Sequence, residues 1–242
     1  MLLVGHGSER SSGPARTMAA HAGRLRRLGL FAEVRSALLT GGPAIAETAG
    51  GLDPAETYVV PMFMSDGYFT RRALPEKLAA AAGDAASDWH LCAPVGLNPG
   101  LPALIAERAR EALRKRGVAF ETANLLLIGH GSEKNPASWQ ATETTGLSVR
   151  IRREFKTVTT AFLDQRPGIA EVLDELDDPV VSFGLFAADG GHAMQDIPEV
   201  LSRTSRDVIN LGPIGTDPVM ADLAIDEIAA LDARTERLRR AG

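Results

Sequence analysis

The sequence predicts an α/β protein made of two tandem, similar lobes, each a four-stranded parallel sheet flanked by helices. Two observations predict this class. The chain repeats itself once, and within each copy continuous apolar, strand-like segments alternate with helix-like ones. With 242 residues, the chain is long enough for two small domains, each with its own core.

The repeat is clearest in a glycine-histidine motif. LLVGHGSE at the amino terminus recurs as LLIGHGSE in the second half, so that His6 and His130 are 124 positions apart. The same offset pairs Gly67-Tyr68 with Gly191-His192. A register held over some sixty residues indicates an internal duplication, and we expect one lobe at residues 1–118 and the other at 119–242, facing each other across a cleft.

The second copy shows the order of elements. Its predicted strands are NLLLIGH, VTTAFLD, VVSFGLFA and DVINLGPIG, and its predicted helices are PASWQATETTGLSVRIRREF, PGIAEVLDEL, a segment after Ile197-Pro198, and DPVMADLAIDEIAALDARTERL. A proline opens the second of these helices, where it is well tolerated. Apolar strands that alternate with helices are typical of a parallel sheet covered on both faces.

The composition excludes several classes of function. A net charge of −5 argues against general nucleic-acid binding, which usually has a basic footprint. The single cysteine, Cys92, rules out an intramolecular disulfide and a cysteine zinc cluster. Apolar runs are shorter than the roughly 20 residues of a membrane span, and the first residues lack the features of a signal peptide. We therefore expect a cytoplasmic protein without a membrane partner, either a monomer or a weak homo-oligomer.

Three metal-competent residues follow three strands of the second copy. His130 ends the first strand, Asp164 ends the second, and His192 follows the third. Ligands of open parallel sheets bind beyond the carboxyl ends of the strands, so these side chains are predicted to share one rim. At a constant offset, the first copy carries His6, Thr40 and Tyr68 instead.

Imidazole and carboxylate together suit a divalent metal such as cobalt, iron, nickel or zinc, and imidazole also accepts protons near neutral pH. Other interpretations stay open at this point. The GHGS segment is also explained as a tight turn with serine as a helix N-cap. A hydrolase that uses Ser132 is weakly supported, because GHGSE is not the G-x-S-x-G elbow.

The strand entering GHGS, the AFL-acid-x-x-Pro segment and GGHAMQDIP together resemble the CbiX/SirB-type sirohydrochlorin chelatases, the class II tetrapyrrole chelatases. The resemblance covers essentially the whole chain and is to the fused, two-copy form. It implies insertion of a divalent metal, cobalt first and iron next, into sirohydrochlorin on the route to cobalamin or sirohaem. The metal ion is then a substrate, and no organic cofactor is implied.

The family's two histidines map onto His130 and His192 as catalytic and metal-binding residues, and its acidic residue maps onto Asp164 as a third metal-binding residue. Because sirohydrochlorin carries eight carboxylates, substrate-binding residues are also expected. They are Ser132, Gly190, Gly191, Arg71 and Arg72, the glycines because they allow backbone and ligand to approach closely.

The sequence departs from the family pattern in three ways. Asp164 stands where the family usually has glutamate, the first copy lacks the second histidine, and an acidic residue follows GHGS at Glu9 and Glu133. The alternative function is a non-catalytic tetrapyrrole or metal carrier derived from a chelatase. A metal-dependent hydrolase is a third interpretation, but the sequence offers no separate general base for it.

Overall fold

Two compact units, each built around its own parallel sheet, make up the chain. The computed structural model describes residues 1–83, 88–132 and 136–241, so Glu133 lies outside the described residues. Unit 1 comprises Met1–Asn98 and Thr216–Gly242, and unit 2 comprises Pro99–Gly215.

Each unit contains a four-stranded sheet whose strands all run parallel. In unit 1 the order is β2-β1-β3-β4, and in unit 2 it is β6-β5-β7-β8. The strands are β1 Leu2–Gly7, β2 Arg35–Thr40, β3 Tyr58–Pro61, β4 His90–Leu91, β5 Asn124–Gly129, β6 Thr157–Phe162, β7 Val180–Gly184 and β8 Val208–Pro213. The predicted fold class of two four-stranded parallel sheets flanked by helices is confirmed.

Helices connect successive parallel strands, as a parallel sheet requires. They are α1 Gly13–Leu28, α2 Ile45–Ala49, α3 Leu74–Ala82, α4 Leu101–Lys115, α5 Ala137–Arg150, α6 Ile169–Glu175, α7 Ile197–Ser202 and α8 Met220–Ala241. No helix within the described ranges is both long and apolar enough to cross a membrane.

The boundary between the units is not the one between the sequence copies. Helix α4, which ends the first copy, packs against α5 and β7 of unit 2. Helix α8, which ends the second copy, packs against α1 and β3 of unit 1, where the Asn98 side-chain amide donates to Glu227 Oε1 at 2.7 Å. The predicted boundary at 118/119 is thus a boundary between the two sequence repeats. The compact units differ from the repeats, because each unit contains the last helix of the other repeat.

The central strands are buried throughout. All six residues of β5 are buried, and Leu125, Leu126 and Leu127 have no exposed surface. Strand β1 is buried in the same way except at His6. A central parallel strand is covered on both faces, which explains why these segments read as continuous apolar runs.

The strand register shows which residues of the two copies are equivalent, and beyond the second strand it differs from the sequence-based match. Leu2 pairs with Val59 across β1 and β3, and Leu126 pairs with Ser182 across β5 and β7. The offset between the copies is therefore 123 at the third strand (from 59 to 182), because the second copy is one residue shorter before β7. The predicted match of Tyr68 with His192 is wrong, since this register matches His192 with Phe69.

The loops that follow β3 and β7 support the same register. The Gly96 N–H donates to the Phe63 carbonyl, and the Gly215 N–H donates to the Phe186 carbonyl, each at 2.9 Å. Phe63 and Phe186 are also 123 positions apart. A Cβ added to Gly215 would lie 2.3 Å from the Ala187 carbonyl carbon, so only glycine lets these two backbones approach so closely.

We predict that Gly215→Ala lowers the free energy of unfolding by about 1–3 kcal/mol, because backbone atoms must move to admit the methyl group. Gly190→Ala is the matched control. A Cβ at Gly190 meets nothing within 4 Å, so its cost should stay within roughly 0.5 kcal/mol. Urea unfolding of both variants measures the difference. Equal stabilities would contradict the close approach at Gly215.

Candidate functional site

His130 follows directly after β5 at the carboxyl edge of the unit 2 sheet. Its backbone carbonyl accepts a hydrogen bond from the Asp164 N–H at 2.9 Å, which ties the end of β5 to the second residue after β6. The two side chains also meet, with 3.3 Å between His130 Nδ1 and Asp164 Oδ2. Two of the three residues predicted for this rim are thus neighbours.

His192 reaches the same rim through a π-helical turn. The turn spans His192–Asp196 and leads directly into α7. Because its first and last residues are four apart, the Asp196 carboxylate lies 2.7 Å from His192 Nδ1. Such single π turns occur often at functional sites.

Asp196 is a site residue that the sequence analysis missed. A signal was present, since GGHAMQDIP places an aspartate four positions after the histidine, and residues four apart share one helix face. The sequence contains no comparable feature that predicts the π turn.

The two imidazoles lie against each other. The ring centroids of His130 and His192 are 4.8 Å apart, with the ring planes at 77°, in an edge-to-face arrangement. About half of each side chain remains exposed, at 41% for His130 and 54% for His192. The structure therefore brings both predicted histidines together at the edge where ligands of parallel sheets bind.

The partners of each ring define its tautomer. His130 Nδ1 lies 3.1 Å from the Gly131 carbonyl oxygen, which can only accept a hydrogen bond, so Nδ1 carries the proton. His192 Nδ1 faces the Asp196 carboxylate in the same manner. In the neutral rings, both Nε2 atoms then keep a lone pair that can bind a metal or accept a proton.

Asp164 lies beside His130. Its carboxylate contacts His130 Nδ1, the ring nitrogen that carries the proton in this tautomer. Within the described parts of the chain, no group of three or more histidine, cysteine, aspartate and glutamate side chains is arranged to hold a metal ion. A carboxylate that contacts Nδ1 in this way orients a histidine whose Nε2 binds a metal.

The predicted substrate-binding residues of unit 2 are next to these histidines in the chain. The Ser132 N–H donates to Gln165 Oε1 at 2.8 Å. Gly190 and Gly191 precede His192, and a Cβ at either position would meet nothing within 4 Å. Crowding by the protein therefore does not require glycine at these two positions.

The two predicted arginines lie in unit 1, and each has an acidic partner. Arg71 Nε donates to Asp66 Oδ2 and Arg72 Nε donates to Glu76 Oε1, both at 2.9 Å. Burial raises the pKa of Asp66, but hydrogen bonds from Arg71 and Thr70 outweigh it and hold that pKa below its usual value. The hydrogen bond to Asp66 in turn raises the pKa of Arg71. Both arginine side chains are nonetheless 72% exposed.

The corresponding edge of unit 1 has a different set of side chains. His6 keeps the backbone contact of His130, with Nδ1 3.0 Å from the Gly7 carbonyl oxygen. Its ring neighbour is Phe69, at 4.3 Å between centroids and 86° between planes. Phe69 thus makes with His6 the edge-to-face contact that His192 makes with His130. Thr40, the last residue of β2, pairs with Gly7 in the sheet register and stands at the position that Asp164 has in unit 2.

Comparison with known proteins identifies the family. The CbiX family model matches residues 1–112 and 124–231, which is most of the chain and falls in the two sequence copies. The chain belongs to the CbiX family. The match in two segments agrees with the internal repeat.

Two relatives with assigned functions are similar to this CbiX-family chain. A "probable sirohydrochlorin cobaltochelatase" of Halobacterium salinarum is 29% identical over an alignment that covers 100% of this chain and 97% of the relative. A "sirohydrochlorin cobaltochelatase" of Methanopyrus kandleri is 25% identical over 43% of this chain and 93% of its own length.

Solved structures share the fold. One described as "CbiX, the terminal enzyme for biosynthesis of siroheme in denitrifying bacteria" has a TM-score of 0.82 at 30% identity, covering 95% of this chain and 97% of that one. SirB from Bacillus subtilis with Fe³⁺ has a TM-score of 0.78 at 19% identity, covering 97% of this chain and 96% of that one. At that identity, SirB supports the fold alone.

We predict that His130 and His192 are Nδ1–H tautomers when neutral. Nitrogen–proton correlation spectra at about pH 8, above the ordinary histidine pKa of about 6.5, distinguish the two tautomers. His90 is the internal control, because its Nε2 lies 2.7 Å from the Ala55 carbonyl oxygen and must carry the proton there. The same tautomer at all three histidines would contradict the assigned hydrogen bonds.

Proposed function

We propose that this protein inserts a divalent metal, cobalt first and iron next, into sirohydrochlorin in cobalamin or sirohaem biosynthesis. One observation carries the proposal. Two imidazoles meet edge to face at the carboxyl edge of a parallel sheet, and a carboxylate lies behind the Nδ1 of each. Membership of the CbiX family supports the same reaction class.

The relatives support both metals. Those from Halobacterium salinarum and Methanopyrus kandleri are named cobaltochelatases, whereas the CbiX structure is described as an enzyme of sirohaem biosynthesis. Imidazole nitrogen binds both cobalt and iron in the divalent state, so the ligand type fits either. We place cobalt first because both named relatives are assigned to it.

The reaction requires a metal site that also accepts protons. As the divalent ion enters the macrocycle, two pyrrole N–H protons leave, so one metal ion is exchanged for two protons. The Nε2 atoms of His130 and His192 supply lone pairs for the ion and, once it has moved on, for the protons. We assign both histidines as metal-binding and catalytic residues.

The two aspartates act on the histidines. Asp196 accepts the His192 Nδ1 proton at 2.7 Å, and Asp164 lies 3.3 Å from His130 Nδ1. Carboxylates in this position fix the tautomer and the orientation of the ring. Their negative charge also favours a divalent cation beside the rings. We therefore propose Asp164 as a residue that orients His130 rather than as a direct metal ligand.

We predict that His192→Ala reduces metal insertion by roughly 100-fold or more, to the rate without enzyme, because one metal-binding nitrogen and proton acceptor is lost. Asp196→Asn should reduce the rate by about 10- to 100-fold, since the imidazole then loses its charged partner. The assay is the anaerobic absorbance change of sirohydrochlorin with Co²⁺ or Fe²⁺.

His90→Ala is the matched control, because His90 is another exposed histidine, and its imidazole contacts the Ala55 carbonyl and the Tyr58 ring. It should keep the wild-type rate. Normal insertion by His192→Ala would contradict the assignment. Pigment binding by the wild type with no rate above the blank would favour a tetrapyrrole carrier instead.

A further inference from the structure

A glutamine side chain connects the two loops that carry His130 and Asp164. The Ser132 N–H donates to Gln165 Oε1 at 2.8 Å, and Gln165 follows Asp164 directly in the chain. An N–H group bonds only to the oxygen of a side-chain amide, so this contact also defines which way the amide points. The segment from His130 to Ser132 is therefore attached to the loop after β6 by a side chain as well as by the backbone.

The Gln165 side chain also packs against Gly131, in the middle of this segment. Gly131 has a φ of +76°, and a Cβ there would lie 2.7 Å from Gln165 Cγ and 3.0 Å from Phe162 Cβ. Glycine adopts this backbone conformation readily, and its missing side chain leaves room for the glutamine. The packing and the hydrogen bond thus act on neighbouring residues of one turn.

The peptide between Gly131 and Ser132 links this hydrogen bond to His130. Its N–H donates to Gln165, and its carbonyl oxygen lies 3.1 Å from His130 Nδ1. Both groups belong to one planar unit, so a rotation of the peptide moves them together. The bond at the N–H end therefore fixes the acceptor that keeps the proton on Nδ1, and Nε2 keeps its lone pair.

The loop that carries Gln165 is itself anchored just after this residue. The Phe162 N–H donates to the Pro167 carbonyl at 3.0 Å, and Arg166 Nη2 donates to Glu171 Oε1 at 2.8 Å. A side chain holds another group precisely only when its own backbone is held in place. Gln165 meets this requirement.

Unit 1 holds the equivalent peptide by a different means. His6 Nδ1 lies 3.0 Å from the Gly7 carbonyl oxygen, as His130 Nδ1 does from Gly131, but the residue at the position of Gln165 is Gly41, at the offset of 124. A Cβ at Gly41 would lie 3.0 Å from the Ser8 carbonyl oxygen, so here the backbones themselves approach closely. In unit 2 the support at this position comes from a side chain, and substitution can remove it.

We propose that Gln165 is a positioning residue for metal insertion, which fixes the peptide between Gly131 and Ser132 and thereby keeps His130 Nε2 available to the metal. The inference rests on the proposed function, since that function assigns Nε2 to the metal and the protons. Gln165 acts through the peptide rather than on the reacting atoms. When the peptide is free to rotate, its N–H can replace its carbonyl beside Nδ1, and the ring proton then moves to Nε2.

The test compares Gln165→Leu, which removes the acceptor at similar size, with Gln165→Glu, which keeps a side-chain oxygen. Gln140→Leu is the matched control, because Gln140 is an exposed glutamine on α5 of the same unit. Three readouts are taken on the full chain. They are the His130 tautomer in the metal-free protein at about pH 8, above the ordinary histidine pKa of about 6.5, from nitrogen–proton correlation spectra, the dissociation constant of Co²⁺ alone, and kcat and KM for sirohydrochlorin with Co²⁺.

We expect Gln165→Leu to give His130 a detectable Nε2–H tautomer, to raise the Co²⁺ dissociation constant by about tenfold and to lower kcat by about tenfold, with KM within roughly twofold. Gln165→Glu should restore the Nδ1–H tautomer and most of the Co²⁺ affinity, and Gln140→Leu should change none of the three readouts. A folded Gln165→Leu variant with the wild-type tautomer and Co²⁺ affinity would overturn the inference, even if urea unfolds it more easily. A Gln165→Glu variant as impaired as Gln165→Leu would overturn it too.

The metal-free tautomer and the Co²⁺ titration separate this inference from the proposed function. If the wild type binds Co²⁺ but inserts none, the chelatase assignment fails, and Gln165 is still judged by the tautomer and the dissociation constant. If His130 of the wild type is not the Nδ1–H tautomer, or if the wild type binds no Co²⁺, the inference is overturned whatever the insertion rate.

Discussion

The parallel pairing of β5 with both of its neighbours is the constraint on which the candidate site depends. The Asp164 N–H bonds to the His130 carbonyl at 2.9 Å, and the Leu185 N–H bonds to the Ile128 carbonyl at 2.7 Å. These bonds bring the ends of three strands to one edge, although the strands are far apart in the sequence. If the strands did not run in the same direction, His130, Asp164 and His192 would not lie at one edge of the sheet.

Duplication supplied this edge twice, and the two copies have diverged in chemistry while keeping the backbone. Both edges keep a histidine at the carboxyl end of the central strand and a π turn after the third strand. In unit 2 the turn places His192 and Asp196 beside His130. In unit 1 the turn places Phe69 against His6.

The sequence alone predicted the strands, the parallel sheets and the meeting of three residues, because buried parallel strands leave long apolar runs and their ends share an edge. It matched Tyr68 with His192 by extending the offset of 124 as far as this loop, and it placed the one-residue slip later, between this loop and Pro75 and Pro198, which are 123 apart. The exchange of α4 and α8 between the units could not be predicted from the sequence. Hydrophobic periodicity predicts an amphipathic helix, but it does not specify which sheet that helix covers. Asp196 was missed because its role depends on the π turn.

The central claim is that only one of the two equivalent histidines handles metal, and titration of Co²⁺ into the protein tests it most directly. Visible absorption of bound Co²⁺ reports nitrogen ligation, and His6→Ala and His130→Ala are matched variants at equivalent strand ends. The account predicts that His130→Ala weakens Co²⁺ binding by about tenfold or more, whereas His6→Ala leaves it unchanged. Equal losses in both variants, or a loss only in His6→Ala, would contradict it.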